Sequence, residues 1–281
     1  MFESLYPQAN KLRFPEDIEQ QFREEYRVTT LSATRVAMAL GIVLFSLFGI
    51  LDNYAVPISK QFVWFIRYVV VDPLLIFIFI ATYIPRFQRY IQPLVCIGIA
   101  VTGLGIVSII TVAREAEFGS KFYFGGLLLV SMWAYSLARL RFSYAIMANV
   151  IIMIGYEYAG MFIKQLLASE TGIVIFTIHN FFFLGANVIG MFASYNLERY
   201  TRMDFLQKYT IQAQRDQADK LLFNILPERI AEKLKQSNET IAEEFSSASV
   251  LFADIVNFTP ISASFDPVSY THLTLPTIYS V

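Results

Sequence analysis

The sequence predicts an all-α membrane protein: a six-helix transmembrane bundle, a long cytoplasmic helix, and then the first strand of a second domain. Composition is the first observation, since 56% of the 281 residues are hydrophobic and mean hydropathy is +0.50, as in membrane proteins. The second is a series of six apolar runs, each near the ~20 residues that cross a bilayer. The third is charge, which lies at the two ends and in short loops. Because the net charge is only −1, we expect no nucleic-acid partner.

Residues 1–32 are polar and predict a cytoplasmic amphipathic helix. Pro15 followed by two acidic residues is typical of a helix start. Apolar residues then recur every four positions and form one stripe, which consists of Phe14, Ile18, Phe22 and Tyr26. We expect this stripe to pack against the membrane or the neighbouring bundle, and the helix to lead directly into the first span.

Residues 33–195 predict a six-span transmembrane sensor domain in a lipid bilayer. We place the spans at 33–51, 62–84, 91–112, 122–138, 142–163 and 173–195, the fourth being the shortest. Eleven Lys and Arg residues flank the spans on one side, against four in the opposite loops, which contain Lys60, Arg114, Lys121 and Lys164. The eleven are Lys11, Arg13, Arg23, Arg27, Arg86, Arg89, Arg139, Arg141, Arg199, Arg202 and Lys208. By the positive-inside rule, both termini are cytoplasmic in a multi-pass protein of the cell membrane.

Three of the ionisable residues within the predicted spans lie near the outer surface: Arg67, Glu157 and His179. Each falls roughly 7 to 9 Å below the outer surface at ~1.5 Å per residue. Ionisable groups in hydrocarbon usually have a partner or a task. One hypothesis is therefore a polar cluster that binds an extracellular or lipid-borne ligand. The alternative is a structural Arg67–Glu157 pair that fixes helix packing.

Residues 196–236 predict a helix that leaves the sixth span and a shorter helix after it. Met203, Leu206, Thr210 and Ala213 follow the 3,4,3 spacing of a coiled-coil seam. A weak parallel seam could hold two packings and act as a switch, while the alternative is an ordinary solvated helix. Pro227 is expected to end this helix and to begin a short one that extends to residue 236.

The segment VLFADIVNFT, at residues 250–259, is the one stretch whose spacing suggests chemistry. Four mostly apolar residues predict a buried strand, and Asp254 follows at its end. The turn after it could surround an anion with backbone N–H groups. A carboxylate beside such a turn suits a metal-bound polyphosphate, whereas the alternative is that Asp254 simply caps a helix.

The pattern formed by Phe252, Asp254, Ile255, Asn257, Phe258 and Thr259 resembles the start of the class III adenylyl/guanylyl cyclase catalytic domain. Residues 221–236, LLFNILPERIAEKLKQ, with Ile241 and Ala242, look like the segment that precedes this domain in the same family. The resemblance covers roughly residues 196–267. It implies a signalling helix and cyclase transducer at 196–236, and the start of a ferredoxin-like α+β domain at 237–267.

The resemblance also implies the chemistry. A homodimer would convert a nucleoside triphosphate, ATP or GTP, into cAMP or cGMP, with two divalent metal ions, Mg or Mn, and release of pyrophosphate. Asp254 would bind metal through its carboxylate and Ile255 through its carbonyl. Asn257, Phe258 and Thr259 would line the triphosphate. The residues that select the base, the second metal Asp and the transition-state Asn and Arg would follow residue 267.

Residues 268–281 look like the translation of a sequencing adapter and are excluded from fold reasoning. We therefore expect a catalytic domain truncated near Pro267 and a fragment that is inactive by itself. Two other classes stay open, namely a membrane receptor with a different cytoplasmic output and a non-enzymatic scaffold or transporter. A histidine kinase would need a phosphoacceptor His after the linker, but the last native histidine is His179.

Overall fold

The structure is a computed structural model that describes residues 6–226 and 228–236, with the single positions 247, 249 and 256. All regular elements in these residues are helical. The strand predicted at residues 250–253 lies outside them. The chain divides into two units, Met1–Gln217 and Ala218–Val281.

Six long helical segments make up most of the described chain. They are α1 Glu16–Ala55, α2 Lys60–Ala81, α3 Ile91–Val112, α4 Phe124–Met132 with the π-helical turn Trp133–Leu137, α5 Phe142–Ile163 and α6 Glu170–Ile225. Shorter helices are Tyr6–Asn10, Pro85–Gln88, Gly119–Phe122, Leu166–Ala168 and Glu228–Gln236.

Five of the segments, all except α4, are long and apolar enough to cross a membrane. The α4 segment has nine α-helical and five π-helical residues. At ~1.5 Å per residue, these 14 residues extend about 21 Å, less than the ~30 Å hydrocarbon core. The described chain is therefore a helical protein with several membrane-crossing candidates, and the fourth predicted span, residues 122–138, stays a prediction.

Helix α3 is the central element of the bundle. In the most apolar stretch of α3, 67% of the residues are buried, against 22–39% in the corresponding stretches of the other four candidate helices. It packs on α2, α4 and α5. Gly103 of α3 faces Ile152 of α5, where a Cβ would lie 2.4 Å from the isoleucine side chain. Glycine is therefore needed for the two backbones to approach this closely.

Helix α2 contains a π-helical stretch, Phe65–Val71, directly before Asp72 and Pro73. Proline has no N–H, and its ring would collide with the carbonyl four residues earlier in a regular α-helix. A wider π turn avoids that collision. The stretch carries Arg67, so this local widening also sets the direction of its side chain.

We name the two ends of the bundle by their residues. The distal end comprises residues 52–60, 112–123 and 164–172, and the proximal end comprises residues 9–35, 82–92, 138–142 and 194–206. A small proximal core is formed by Ala9, Phe14, Phe22, Tyr26, Phe205 and Leu206. The apolar stripe of the N-terminal segment is thus buried against α6.

The described part of the second unit is helical. Helix α6 ends at Ile225 and the short helix Glu228–Gln236 follows Pro227. Lys235 Nζ lies 2.6 Å from Asp219 Oδ1 and 4.9 Å from the ring centre of Phe223. These contacts hold the short helix against the last turns of α6.

Glu117 joins the distal loops. Its carboxylate accepts hydrogen bonds from the backbone N–H groups of Ile58 (2.7 Å), Ser59 (3.0 Å) and Arg114 (2.8 Å), and from the Ser59 hydroxyl (2.6 Å). Burial by itself raises the pKa of Glu117, but the hydrogen bonds from Ser59, Arg114 and Ile58 outweigh burial and hold the pKa below its usual value.

We expect Glu117→Ala to lower the free energy of unfolding by about 2–4 kcal/mol, because four donors lose one charged acceptor. Since the pKa is lowered on folding, this contribution is present above the ordinary value of 4.5 and is lost as the pH falls below it. Thermal unfolding in detergent, followed by circular dichroism at neutral and acidic pH, measures both effects.

The matched control is Glu115→Ala, which removes an exposed carboxylate from the same loop. We expect it to change stability by no more than about 0.5 kcal/mol. Equal losses in the two variants would contradict the assignment of Glu117 as the residue that joins the loops.

Candidate functional site

The predicted metal and triphosphate site consists of Asp254, Ile255, Asn257, Phe258 and Thr259, all outside the described residues. Their roles therefore stay predictions. In the part of the chain that the structure describes, no group of three or more His, Cys, Asp or Glu side chains could hold a metal ion.

Arg67 is buried, 2% exposed, and its carboxylate partner is Asp52. Its Nε and Nη2 donate to the two Asp52 oxygens, each at 3.0 Å, and its Nη1 donates to the Phe45 carbonyl at 2.8 Å. The Tyr123 hydroxyl also donates to Asp52. The predicted alternative, a structural pair between Arg67 and Glu157, is therefore wrong, because Asp52 of α1 neutralises this charge.

His179 and Glu157 have other neighbours. The His179 ring stacks on Phe124 with 4.0 Å between ring centres, and its Nδ1 lies 2.7 Å from the Tyr156 hydroxyl. Glu157 is half-buried, and its Oε1 has no hydrogen-bond partner. Within the described residues, no hydrogen bond or ion pair joins Arg67, Glu157 and His179. The three side chains thus form no single hydrogen-bonded cluster in the described residues, and a ligand at any of them stays a prediction.

A second group of charged residues lies at the proximal end and was missed from the sequence. We call it the charge junction, and it consists of Glu19 of α1, Arg141 before α5, and Glu198 and Arg202 of α6. Arg202 is 0% exposed. Its Nη1 and Nη2 donate to Glu19 at 2.7 and 3.1 Å, and its Nε and Nη2 donate to Glu198 Oε1 at 3.0 and 2.8 Å.

Arg141 is the second arginine of the junction. Its Nη2 donates to Glu19 Oε1 at 3.2 Å, and its Nε lies 3.7 Å from Glu198 Oε1. The exposed Arg23 also donates from Nε to Glu19 Oε1 at 3.3 Å, so Glu19 contacts three arginines. Because a buried ion is stable only with paired charge and satisfied hydrogen bonds, the four residues of the junction form one structural unit.

Aromatic rings enclose the guanidinium of Arg202. It lies 4.2 Å from the ring centre of Phe22 and 5.0 Å from that of Phe14, within the range of cation–π attraction. Phe205 packs on both rings, with centres 5.6 and 6.0 Å apart. Water is therefore kept from the ion pairs, which strengthens them.

The loop between α4 and α5 is fixed to the same junction. Arg139 has a positive φ of 52°, and its carbonyl accepts hydrogen bonds from Tyr26 at 3.1 Å and from Gln92 at 3.0 Å. The Phe142 N–H donates to Glu198 Oε2 at 2.7 Å, so Glu198 satisfies one of the free N–H groups at the start of α5. The junction thus connects α1, α5 and α6.

The electrostatics of the junction depend on ionised Glu19. Burial raises the pKa of Glu19, but hydrogen bonds from Arg202 and from the Phe14 N–H, with the charges of Arg202 and Arg141, outweigh burial and lower the pKa below its usual value. Its contribution to stability is consequently present above the ordinary value of 4.5 and is lost as the pH falls through the lowered pKa.

We expect Arg202→Leu to lower the free energy of unfolding by about 3–5 kcal/mol, because Glu19 and Glu198 would keep buried charges without their main partner. The difference in the free energy of unfolding between this variant and the unmodified protein should become smaller at acidic pH, where the glutamates are protonated. Thermal unfolding in detergent at neutral and acidic pH measures this difference.

The control for this prediction is Arg215→Leu, on an exposed position of the same helix. We expect it to change stability by less than about 0.5 kcal/mol. If Arg202→Leu behaved like Arg215→Leu, or if its effect were the same at both pH values, the junction would not stabilise the fold as described.

Comparison with known proteins gives partial matches, and no family model matches the chain. A membrane guanylyl cyclase of Dictyostelium discoideum is 28% identical over 106 residues, which is 38% of this chain and 7% of that protein. An adenylate cyclase of Mycobacterium tuberculosis is 42% identical over 71 residues, 25% of this chain and 16% of that protein. The soluble guanylate cyclase subunit beta-2 of Rattus norvegicus is 34% identical over 67 residues, 24% of this chain and 10% of that protein.

The chain thus matches 16% or less of the length of each of these curated relatives. The matches support a relationship to adenylate and guanylate cyclases. Membrane and receptor-type cyclases are among the relatives, which together with the apolar helices supports a membrane location.

Proposed function

We propose that the chain is the membrane-bound, N-terminal part of a class III nucleotidyl cyclase that forms cAMP from ATP or cGMP from GTP. The observation that carries this proposal is the sequence FADIVNFT at residues 252–259. The partial matches to adenylate and guanylate cyclases support it. A transporter or scaffold would not need such a segment.

In the proposed mechanism, Asp254 supplies a carboxylate and Ile255 a carbonyl oxygen to the metal site. These hard oxygen ligands suit Mg²⁺ or Mn²⁺. The metal ions would stabilise charge on the triphosphate oxygens. Asn257, Phe258 and Thr259 would hold the triphosphate so that the 3′-hydroxyl of the nucleotide reaches the α-phosphate and pyrophosphate leaves.

The proposed enzyme is a homodimer in which two catalytic domains build each active site. Residues 1–267 contain one of the two metal-binding Asp residues that the family resemblance implies, Asp254. We therefore expect this chain by itself to form no cyclic nucleotide.

The charge junction supports a regulatory role for the membrane bundle. Helix α6 is continuous from Glu170 to Ile225, and the junction attaches it to α1 and to the start of α5. A change in the packing of the bundle would therefore be transmitted along α6 toward the proposed catalytic domain.

We further propose that the bundle spans the membrane with its proximal end in the cytoplasm. Arg86 and Arg141 lie in proximal loops, in agreement with the positive-inside rule. This orientation places the residues after α6 on the side of the membrane where ATP and GTP are found.

Cysteine labelling of intact cells tests the orientation. Phe118 is 71% exposed in a distal loop and Arg86 is exposed in a proximal loop, while the native Cys96 is buried. A membrane-impermeant maleimide should label Phe118→Cys before lysis and Arg86→Cys only after lysis. The reverse pattern would show the opposite orientation, and labelling of both before lysis would contradict a spanning bundle.

Activity of the uninterrupted gene tests the cyclase proposal. We would recover the codons that follow Pro267 in the source DNA, express the whole protein and measure cAMP and cGMP. Asp254→Asn should lower activity by about 100-fold or more, because loss of a metal ligand costs several kcal/mol of transition-state stabilisation.

Asp266→Asn is the matched control, because Asp266 lies twelve residues after Asp254 and outside the motif. We expect nearly unchanged activity. If the uninterrupted protein made neither cyclic nucleotide, or if both variants lost activity equally, Asp254 would not be a metal ligand of a cyclase. The preferred triphosphate follows from the ratio of the two products.

A further inference from the structure

The distal end contains a cavity of about 240 Å³ that the proposed catalytic chemistry does not use. It lies between the distal ends of α3, α5 and α6 and the two loops beside them. Exposed residues such as Lys121 and Thr171 line it together with the buried Tyr156. The cavity therefore extends from the surface into the bundle.

Its inner part has an unused hydrogen-bonding group. Nδ1 of His179 is occupied by the Tyr156 hydroxyl at 2.7 Å, and the stack on Phe124 fixes the ring plane. When Tyr156 donates to Nδ1, the neutral imidazole carries its proton on Nε2. No described protein group bonds to Nε2, so His179 has a donor to offer a ligand.

The outer part of the cavity is cationic. Lys121 and Lys164 line it with a single carboxylate, Glu115, so the side chains of the lining carry a net charge of +1 (two minus one). Lys164 Nζ donates to the Ala113 carbonyl at 2.5 Å. A lysine has three donors, and two of those of Lys164 are consequently left for a ligand.

The wall between these two parts is largely apolar, with Val107, Ile110 and Ile175 among its residues. His179 lies ten residues beyond Ser169 in the sequence, most of them in α6. At ~1.5 Å per residue this places it roughly 13–15 Å deeper along the helix. The site thus combines a cationic outer part, an apolar wall and a neutral donor at depth.

We propose that this cavity binds a small organic acid. Its carboxylate lies between Lys121 and Lys164, its apolar body contacts Ile110 and Ile175, and an acceptor atom at its far end bonds to His179 Nε2. The proposal rests on the regulatory role that we propose for the membrane bundle, and it gives that role a ligand of stated chemical class.

A matched pair of probes tests the charge requirement. 4-Hydroxybenzoate has a carboxylate at one end and a hydroxyl at the other, and 4-hydroxybenzamide is its uncharged isostere. With the full chain purified in detergent, a saturating concentration of the acid should raise the unfolding temperature by about 2–4 °C, because binding to the folded state alone stabilises it. The amide should raise it by less than half as much.

Variants of the lining identify the site. Lys121→Met should remove most of the shift caused by the acid, and Lys121→Arg should keep it. His179→Phe, which preserves ring stacking on Phe124, should reduce the shift from 4-hydroxybenzoate to that from benzoate. Lys60→Met removes a distal lysine outside the cavity and should leave the shift unchanged, which controls for general charge effects.

The proposal would be overturned by equal shifts from the acid and the amide, by no shift from the acid, or by equal losses in Lys121→Met and Lys60→Met. Because Lys121 is exposed, we expect its variants to fold, so that they test binding itself. The measurement needs no cyclase activity. Its failure would leave the cyclase proposal standing, and failure of the cyclase assay would leave this result standing.

Discussion

The burial of Arg202 is the constraint on which the proximal half of the structure depends. A guanidinium with no exposed surface is tolerated only where carboxylates and hydrogen-bond acceptors surround it. Glu19 and Glu198 meet that requirement, and Phe14 and Phe22 close the site against water. The start of α1, the loop before α5 and helix α6 must therefore keep one arrangement.

The distal half follows the same rule with a different set of groups. Arg67 donates to both oxygens of Asp52, and the Glu117 carboxylate accepts hydrogen bonds from backbone N–H groups of two loops. Between the two ends, close backbone approach at small residues such as Gly103 holds the helices together. Ionic contacts thus fix the ends of the bundle, and packing fixes its middle.

Sequence reasoning could predict where the helices lie along the chain, but not which side of each helix packs against its neighbours. Composition and spacing indicated the long helices, the start of α1 after Pro15 and the break near Pro227, because these depend on local chemistry. The partner of Arg67 was missed because contacts between helices depend on rotation and register, and each residue turns a helix by ~100°. Arg202 was assigned to the cytoplasmic flank by its charge, and its burial was missed. The 3,4 spacing of Glu19, Phe22 and Tyr26 could have indicated that its partner Glu19 lies on the buried stripe. The residues of the proposed catalytic motif lie outside the described part.

The strength of the charge junction limits how the bundle could regulate a catalytic domain. Breaking a buried ion pair costs about 3–5 kcal/mol, whereas coupling between a ligand site and a distant site is typically 1–3 kcal/mol. A ligand at the distal end therefore lacks the energy to open the junction. Helix α6 would have to move together with the start of α1 as one body, so that regulation depends on small displacements of an intact junction and not on its rupture.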